Sequence, residues 1–244
     1  MLALIATTDD SVNPTAGYAP RPSTPRPSTP RPLTPRNDAA ARHFASAPVQ
    51  VIAARADLFL EGDEATHAFE VLDGIVCACR LLPDGARHII AFYYPGDVLG
   101  YCCMDTHPYS AQALTAVRVR RIPLSLLERT MQQRPEVAHK FLRLATLELS
   151  ATRDHLVCLA VKSAAAKTAS FLLALSRRNA SVGQDSLQIR LPMTRLDIAD
   201  YLGLTFETVS RMLSKFKRKG LIDLPRATHV VIKDVMGLTA LVDA

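Results

Sequence analysis

The chain has 244 residues, 48% hydrophobic and 21% charged, enough apolar residues to bury a core in one to two domains of ordinary size. Those proportions exclude a chain that stays unfolded throughout, and no apolar run approaches the roughly 18 residues of a membrane-spanning helix. The net charge of +6 is uneven: residues 190–220 carry +4 of it, the local footprint of a polyanionic partner.

Residues 1–46 hold eight of the sixteen prolines, and Arg21-Pro22-Ser23-Thr24-Pro25 recurs twice with one substitution. Such a segment is expected to be an extended tail, either without a packed structure or serving as a proline-rich docking motif. The first six residues are apolar but have no basic flank, so no signal peptide is expected. Five cysteines, Cys77, Cys79, Cys102, Cys103 and Cys158, are too few and too scattered for a secreted disulfide framework, and the expected compartment is a reducing cytoplasm.

Over residues 47–125 the punctuation changes. Gly62, Gly74, Gly85 and Gly96 mark turns 12, 11 and 11 residues apart, the spacing of short antiparallel strands. The runs between them, 68–72, 75–82, 88–94 and 114–122, mix β-branched and aromatic residues in partial alternation, as a small β-roll or jelly-roll does.

Over residues 126–162 the period becomes helical. Ala138, Leu142, Ala145, Leu149, Thr152, Leu156 and Leu159 step by four and three, an uncharged heptad seam that predicts a long helix pairing with its twin in a homodimer. Val137, Phe141 and Leu144 form a second apolar stripe for packing on the β-roll.

Residues 163–244 contain the decisive motif. Thr194 with Asp197 three positions on is an N-cap pair, Gly203 suits a helix C-terminus, and Thr205 can cap the next helix. Two short helices joined by a glycine turn are a helix-turn-helix. In the second helix Val209, Leu213 and Phe216 point inward, while Glu207, Ser210, Arg211 and Ser214 share the opposite face. Arg211 can donate two hydrogen bonds to guanine and Glu207 can accept from cytosine, so that face can read double-stranded DNA. Lys215, Lys217 and Arg218, with Thr194, Thr205 and Ser214, are placed for phosphate contacts. Strands at 221–224 and 230–232 would add a wing.

With these residues in view, the chain resembles the CRP/FNR superfamily of transcription regulators from about Val49 onward. Leu191 to Arg195, Tyr201 to Thr205 and Glu207-Thr208-Val209-Ser210-Arg211 are similar to the recognition segment of the FNR branch, as is Ser110 to Leu114 in the β-roll. The resemblance implies an α+β fold: an N-terminal β-roll of cyclic-nucleotide-binding type, a dimerisation helix and a C-terminal winged helix-turn-helix. It also implies Glu207, Ser210 and Arg211 as base readers, inverted TTGA-type half-sites, RNA polymerase as a partner and no enzymatic activity. Phe206, where cyclic-AMP receptors carry arginine, favours the FNR-like operator.

A sensor is harder to read. The stretches Gly96 to Gly100 and Tyr109-Ser110-Ala111 lack the arginine a cyclic phosphate needs. No cysteine precedes Cys77 to supply an N-terminal iron–sulfur group, and the seven histidines show no paired spacing for haem or another metal. What remains resembles FixK-type regulators, which act without a cofactor on low-oxygen respiration, nitrogen-fixation or denitrification genes. Alternatives are a haem- or thiol-based sensor, with Cys102 and Cys103 as the redox pair, and a ligand-binding β-roll without a DNA role.

Overall fold

The computed structural model describes residues 44–101 and 104–243. Eight strands come first: β1 (Val49–Ile52), β2 (Asp57–Phe59), β3 (His67–Asp73), β4 (Val76–Leu81), β5 (Arg87–Tyr93), β6 (Val98–Leu99), β7 (Ser110–Ala113) and β8 (Val117–Pro123). They form two four-stranded antiparallel sheets, β1-β8-β3-β6 and β2-β7-β4-β5, whose inner faces enclose Phe69, Val71, Val76, Ala78, Leu99 and Val119. Gly74 makes the β3–β4 turn at φ +81°, and a Cβ there would lie 2.4 Å from the Ala116 carbonyl oxygen. Only glycine fits such an approach.

Two helices follow, α1 (Leu124–Gln133) and α2 (Pro135–Val161). The sequence suggested one helix across 126–162, and the structure corrects this. Pro135 holds the preceding residue extended, at φ −137° and ψ 93° for Arg134, so the chain breaks there and restarts with proline at its first turn. Val137 and Phe141 pack with Phe44, Ala68, Ile122 and Leu127 against the first sheet, as expected of two members of the second apolar stripe; Leu144, its third, is half-buried and outside this cluster.

The C-terminal unit comprises α3 (Ala164–Ser181), β9 (Gln188–Arg190), α4 (Arg195–Leu202), α5 (Phe206–Arg218), β10 (Ile222–Arg226), β11 (His229–Ile232) and α6 (Val235–Asp243). Its wing is a three-stranded sheet, β10-β11-β9, in which β9 was not foreseen. The fold is α+β, as expected. The Pro-rich tail and the pair Cys102 and Cys103 lie outside the described residues.

One large buried cluster spans the two units: Cys77, Cys79 and Ile89 of the hairpin β4–β5 join Leu172, Ile198, Leu202, Val209 and Phe216. Strand β4 is therefore covered on both faces, with Val76 and Ala78 facing the sandwich interior and Cys77 and Cys79 facing the helical unit. This explains why its hydrophobic alternation is only partial: a strand packed on both sides reads as a continuous apolar run.

Candidate nucleic-acid interface

Local chemistry fixes the two helices of the motif. The Thr194 hydroxyl accepts from the Asp197 amide at 3.1 Å, and the Asp197 carboxylate accepts from the Thr194 amide at 2.8 Å. This is a reciprocal capping box. Gly203 ends α4 in the left-handed conformation, φ +58°, and Thr205 caps α5 by accepting from the Thr208 amide. Val209, Leu213 and Phe216 are buried, so the 3.6-residue period forces the remaining face of α5 outward.

On that face Glu207, Arg211 and Ser214 are exposed and Ser210 is half-buried, and together with Phe206, Lys217, Arg218 and Leu224 they border one open concavity between α5 and the wing. Hydrogen bonds from the Glu207 amide and the Thr205 hydroxyl, aided by the Arg211 charge, lower the Glu207 carboxyl below its usual range. It stays ionised and exposed. Arg211 does not pair with Glu207: its guanidinium donates to the Thr208 hydroxyl at 3.0 Å, and it forms no ion pair among the described residues. Both groups therefore remain available to a base edge.

The cations of the last turn are exposed, but Lys217 is tied to Asp223 of β10 at 3.2 Å. Lys215 and Arg218 have no such pair among the described residues. Thr194 and Thr205 stand at the N-caps of α4 and α5 rather than on the reading face, and the Thr194 hydroxyl also donates to Asp197 at 2.7 Å. Arg195 joins the motif to its wing by donating to the Ala227 carbonyl at 3.2 Å.

The seam predicted on α2 lies open in the single chain. Leu142, Leu149 and Leu156 are 66%, 50% and 66% exposed, Ala145 and Thr152 are exposed, and Ala138 and Leu159 are half-buried. Three exposed leucines along one helix are an unsatisfied apolar stripe.

Between the sandwich and α2 the hydroxyls of Tyr93 and Tyr101 both donate to Glu148, at 2.7 and 3.1 Å, and the Tyr109 hydroxyl accepts from the Gly100 amide at 3.2 Å. A carboxylate here repels a phosphate. A cavity of about 280 Å³ continues from Glu148 past His155 to Tyr94, Phe171 and Arg178. Burial is the main cause that pushes His155 down to about 4, so its imidazole is neutral. Cys77, Cys79 and Cys158 are buried free thiols. Among the described residues no group of three metal-ligating side chains comes together, and no helix is long and apolar enough to cross a membrane.

A charged contact that sequence reasoning missed joins the two units. Asp197 is 1% exposed and accepts two hydrogen bonds from Arg55, at 3.2 and 3.1 Å, and one from Arg87. Arg87 also donates to Asp200 at 3.1 and 3.0 Å. Burial alone would raise the Asp197 carboxyl; the bonds from Arg55, Thr194 and Arg87 outweigh it and hold the group well below the usual carboxylate range. The only sequence signal was the cap itself.

The comparisons with known proteins agree with this architecture. Residues 49–134 match the cyclic nucleotide-binding domain family and residues 166–241 the Crp-like helix-turn-helix domain family. The nitrogen fixation regulation protein FixK of Bradyrhizobium diazoefficiens is 43% identical over 165 residues, covering 68% of this chain and 70% of that protein. The FixK protein of Azorhizobium caulinodans is 35% identical over 207 residues, 81% of this chain and 84% of that one. The solved structure of FixK2 from Bradyrhizobium japonicum superposes with a TM-score of 0.76 at 34% identity, over 80% of this chain and 96% of that chain.

Proposed function

The chain belongs to the CRP/FNR family of transcription regulators, and from that premise we propose that it is a FixK-type regulator that reads inverted TTGA-type half-sites as a homodimer. The observation that carries this reading is the outward face of α5, where Glu207, Ser210 and Arg211 stand unpaired with one another above a basic last turn. Arg211 and Glu207 together read one G·C pair. Lys215, Lys217, Arg218, Ser214 and the two cap threonines, Thr194 and Thr205, contact phosphates and fix the register.

Homodimerisation supplies the second reading helix. The leucine stripe of α2 carries no charge, so two copies can pair along it without a cofactor to neutralise a carboxylate. The Tyr93–Glu148–Tyr101 cluster stands against a cyclic phosphate, which supports a regulator whose DNA-binding form needs no nucleotide. By this reading the protein works in the cytoplasm and activates genes for low-oxygen respiration, nitrogen fixation or denitrification through RNA polymerase; of these, nitrogen fixation is the one that the names of its FixK relatives carry. The domain limits proposed are a tail at 1–46, a β-roll at 47–125, a dimerisation segment at 126–162 and a winged helix-turn-helix at 163–244.

The test is the affinity of metal-free protein, purified in air, for a duplex carrying TTGA and TCAA half-sites against a scrambled duplex, at two salt concentrations. The expected result is tight, sequence-dependent binding with no addition. Binding that appears only after reductant, haem or anaerobic isolation would overturn the cofactor-free reading in favour of a sensor. Equal affinity for both duplexes would overturn the base-reading assignment.

A further inference from the structure

The charged contacts that Arg55 and Arg87 of the β-roll make with the C-terminal unit converge on α4; a second, separate pair joins Asp97 to Arg178 of α3 at 3.8 Å. Asp197 and Asp200 sit one turn apart on the helix face that meets the sandwich, and Tyr201 on the same face packs on Phe92, with ring centroids 5.0 Å apart. The opposite residues, Ile198, Ala199 and Leu202, enter the core shared with α5. Helix α4 is therefore a rigid spacer: one side is bolted to the β-roll, the other carries the reading helix.

The arginines are placed at some cost. Arg55 adopts φ +70°, the only non-glycine residue of positive φ in the described chain. Its amide donates to the Ala113 carbonyl at 2.7 Å, which fixes the turn. Glycine is the usual occupant of that conformation, and an arginine held there signals a use for its side chain. The use is visible: its guanidinium grips both oxygens of Asp197 in the two-pronged geometry that arginine provides and lysine does not. Arg87 is steadied in turn by donating to Gln112 at 3.1 Å.

This contact leaves the reading face of α5 exposed, so it does not occlude DNA. We propose that Arg55 and Arg87 are positioning residues: through Asp197 and Asp200 they fix the reading helix of each protomer relative to α2, and thereby set the half-site spacing that the dimer accepts. The inference rests on the DNA-reading assignment above. A dimer reads two half-sites only at the separation its geometry fixes, so loosening the joint changes tolerance of spacing before it changes contact with any base.

The experiment compares the full chain with Arg55→Gly and Arg87→Gln on three duplexes: the symmetric site, the same site with two base pairs inserted between half-sites, and a scrambled one. Arg55→Gly relieves the left-handed backbone while removing the grip, so it keeps the β-roll folded. The expected result is that the preference for the correct spacing narrows by about tenfold, with affinity for the scrambled duplex unchanged. In parallel, the peptide holding Cys77 and Cys79, which the joint covers, should label faster with a bulky thiol reagent, read by mass spectrometry. An unchanged spacing preference in both variants, with wild-type protein still selecting the symmetric site, would overturn the positioning role alone. Tighter binding to the symmetric site in either variant would overturn it too, since the contact would then be a restraint. Failure of wild-type protein to distinguish symmetric from scrambled DNA would overturn the reading assignment and this inference with it.

Discussion

The two helices of the helix-turn-helix each carry a charged cluster, and the fold treats the clusters in opposite ways. On α5 the acid Glu207 and base Arg211 are neighbours in sequence, exposed, and not paired with each other. On α4 the acids Asp197, buried, and Asp200, half-buried, are joined to arginines 142 and 113 positions away. Charges left apart in solvent are available to a partner molecule. Charges paired out of solvent have been used within the chain, because burying them unpaired is prohibitive. Exposure thus separates the surface that recognises from the joint that positions.

The largest expected effect comes from breaking the buried cluster. Asp197→Ala leaves Arg87, whose side chain is 22% exposed, facing a void, and also removes the carboxylate half of the capping box of α4. The loss is expected at the low end of the range for a severed buried pair, about 3 kcal/mol, since both arginines can partly rehydrate. Calorimetry should show the transition falling by about 6–12 °C. Asp197→Asn adds a pH test. The carboxyl is depressed in the folded state, so its contribution is complete above the unfolded value of about 3.9 and disappears as pH falls toward the folded one. The stability gap between wild type and Asp197→Asn should therefore stay constant from pH 8 to 5 and close only below about pH 4. A gap that narrows between pH 7 and 5 would contradict the depressed carboxyl.

Next in size is the seam of α2, the apolar counterpart of the open face of α5. Thr152→Asp places two carboxylates against each other in the dimer; in the single chain the position is exposed, and the one like charge it meets, Glu148 a turn away, costs only roughly a few tenths of a kcal/mol. Sedimentation should show the dimer weakened about tenfold or more, corresponding to a like-charge penalty of about 1.4 kcal/mol or more. DNA affinity should fall with it. An unchanged dimer constant would place the interface elsewhere.

What was legible in the sequence follows the same division. Thr194, Asp197, Gly203, Thr205 and the triad Val209, Leu213 and Phe216 lie within 23 residues, and local spacing was enough to place caps, turn and faces. Strands β3, β4, β5 and β8 were found from turn glycines, whereas β1, β2, β6, β7 and β9, each of two to four residues, are too short to show a period. The break at Arg134 was missed because residues 126–162 were read as one helical segment, although the seam itself begins only at Ala138, beyond Pro135. Arg55 and Arg87 were illegible for a deeper reason: each is a lone arginine near a turn, and only the three-dimensional approach of a carboxylate more than a hundred residues away gives it a role. That Cys77 and Cys79 face the helical unit is likewise visible only in the joint.

A third effect sharpens the recognition side. Arg211→Ala should cost about 1–3 kcal/mol at the cognate site and relax discrimination at one base pair, leaving thermal stability within about 0.5 kcal/mol because the side chain is exposed. Equal losses on cognate and scrambled DNA, measured by fluorescence anisotropy at fixed salt, would contradict base reading.

The smallest effect probes the boundary between the two kinds of charge. Lys217 belongs to the exposed surface yet is bonded to Asp223, and the two side chains are 53% and 47% exposed. An ion pair so wet contributes little to stability, so Lys217→Ala should leave unfolding nearly unchanged. If the lysine exchanges Asp223 for a phosphate on binding, its removal lowers affinity alike for cognate and scrambled duplexes and reduces the salt slope by about one. Asp223→Asn separates the two roles: freeing the lysine should strengthen binding to both duplexes and steepen neither preference. If instead Lys217→Ala destabilises the wing and leaves the salt slope intact, the pair is structural, and Lys217 moves from the recognising surface to the positioning one.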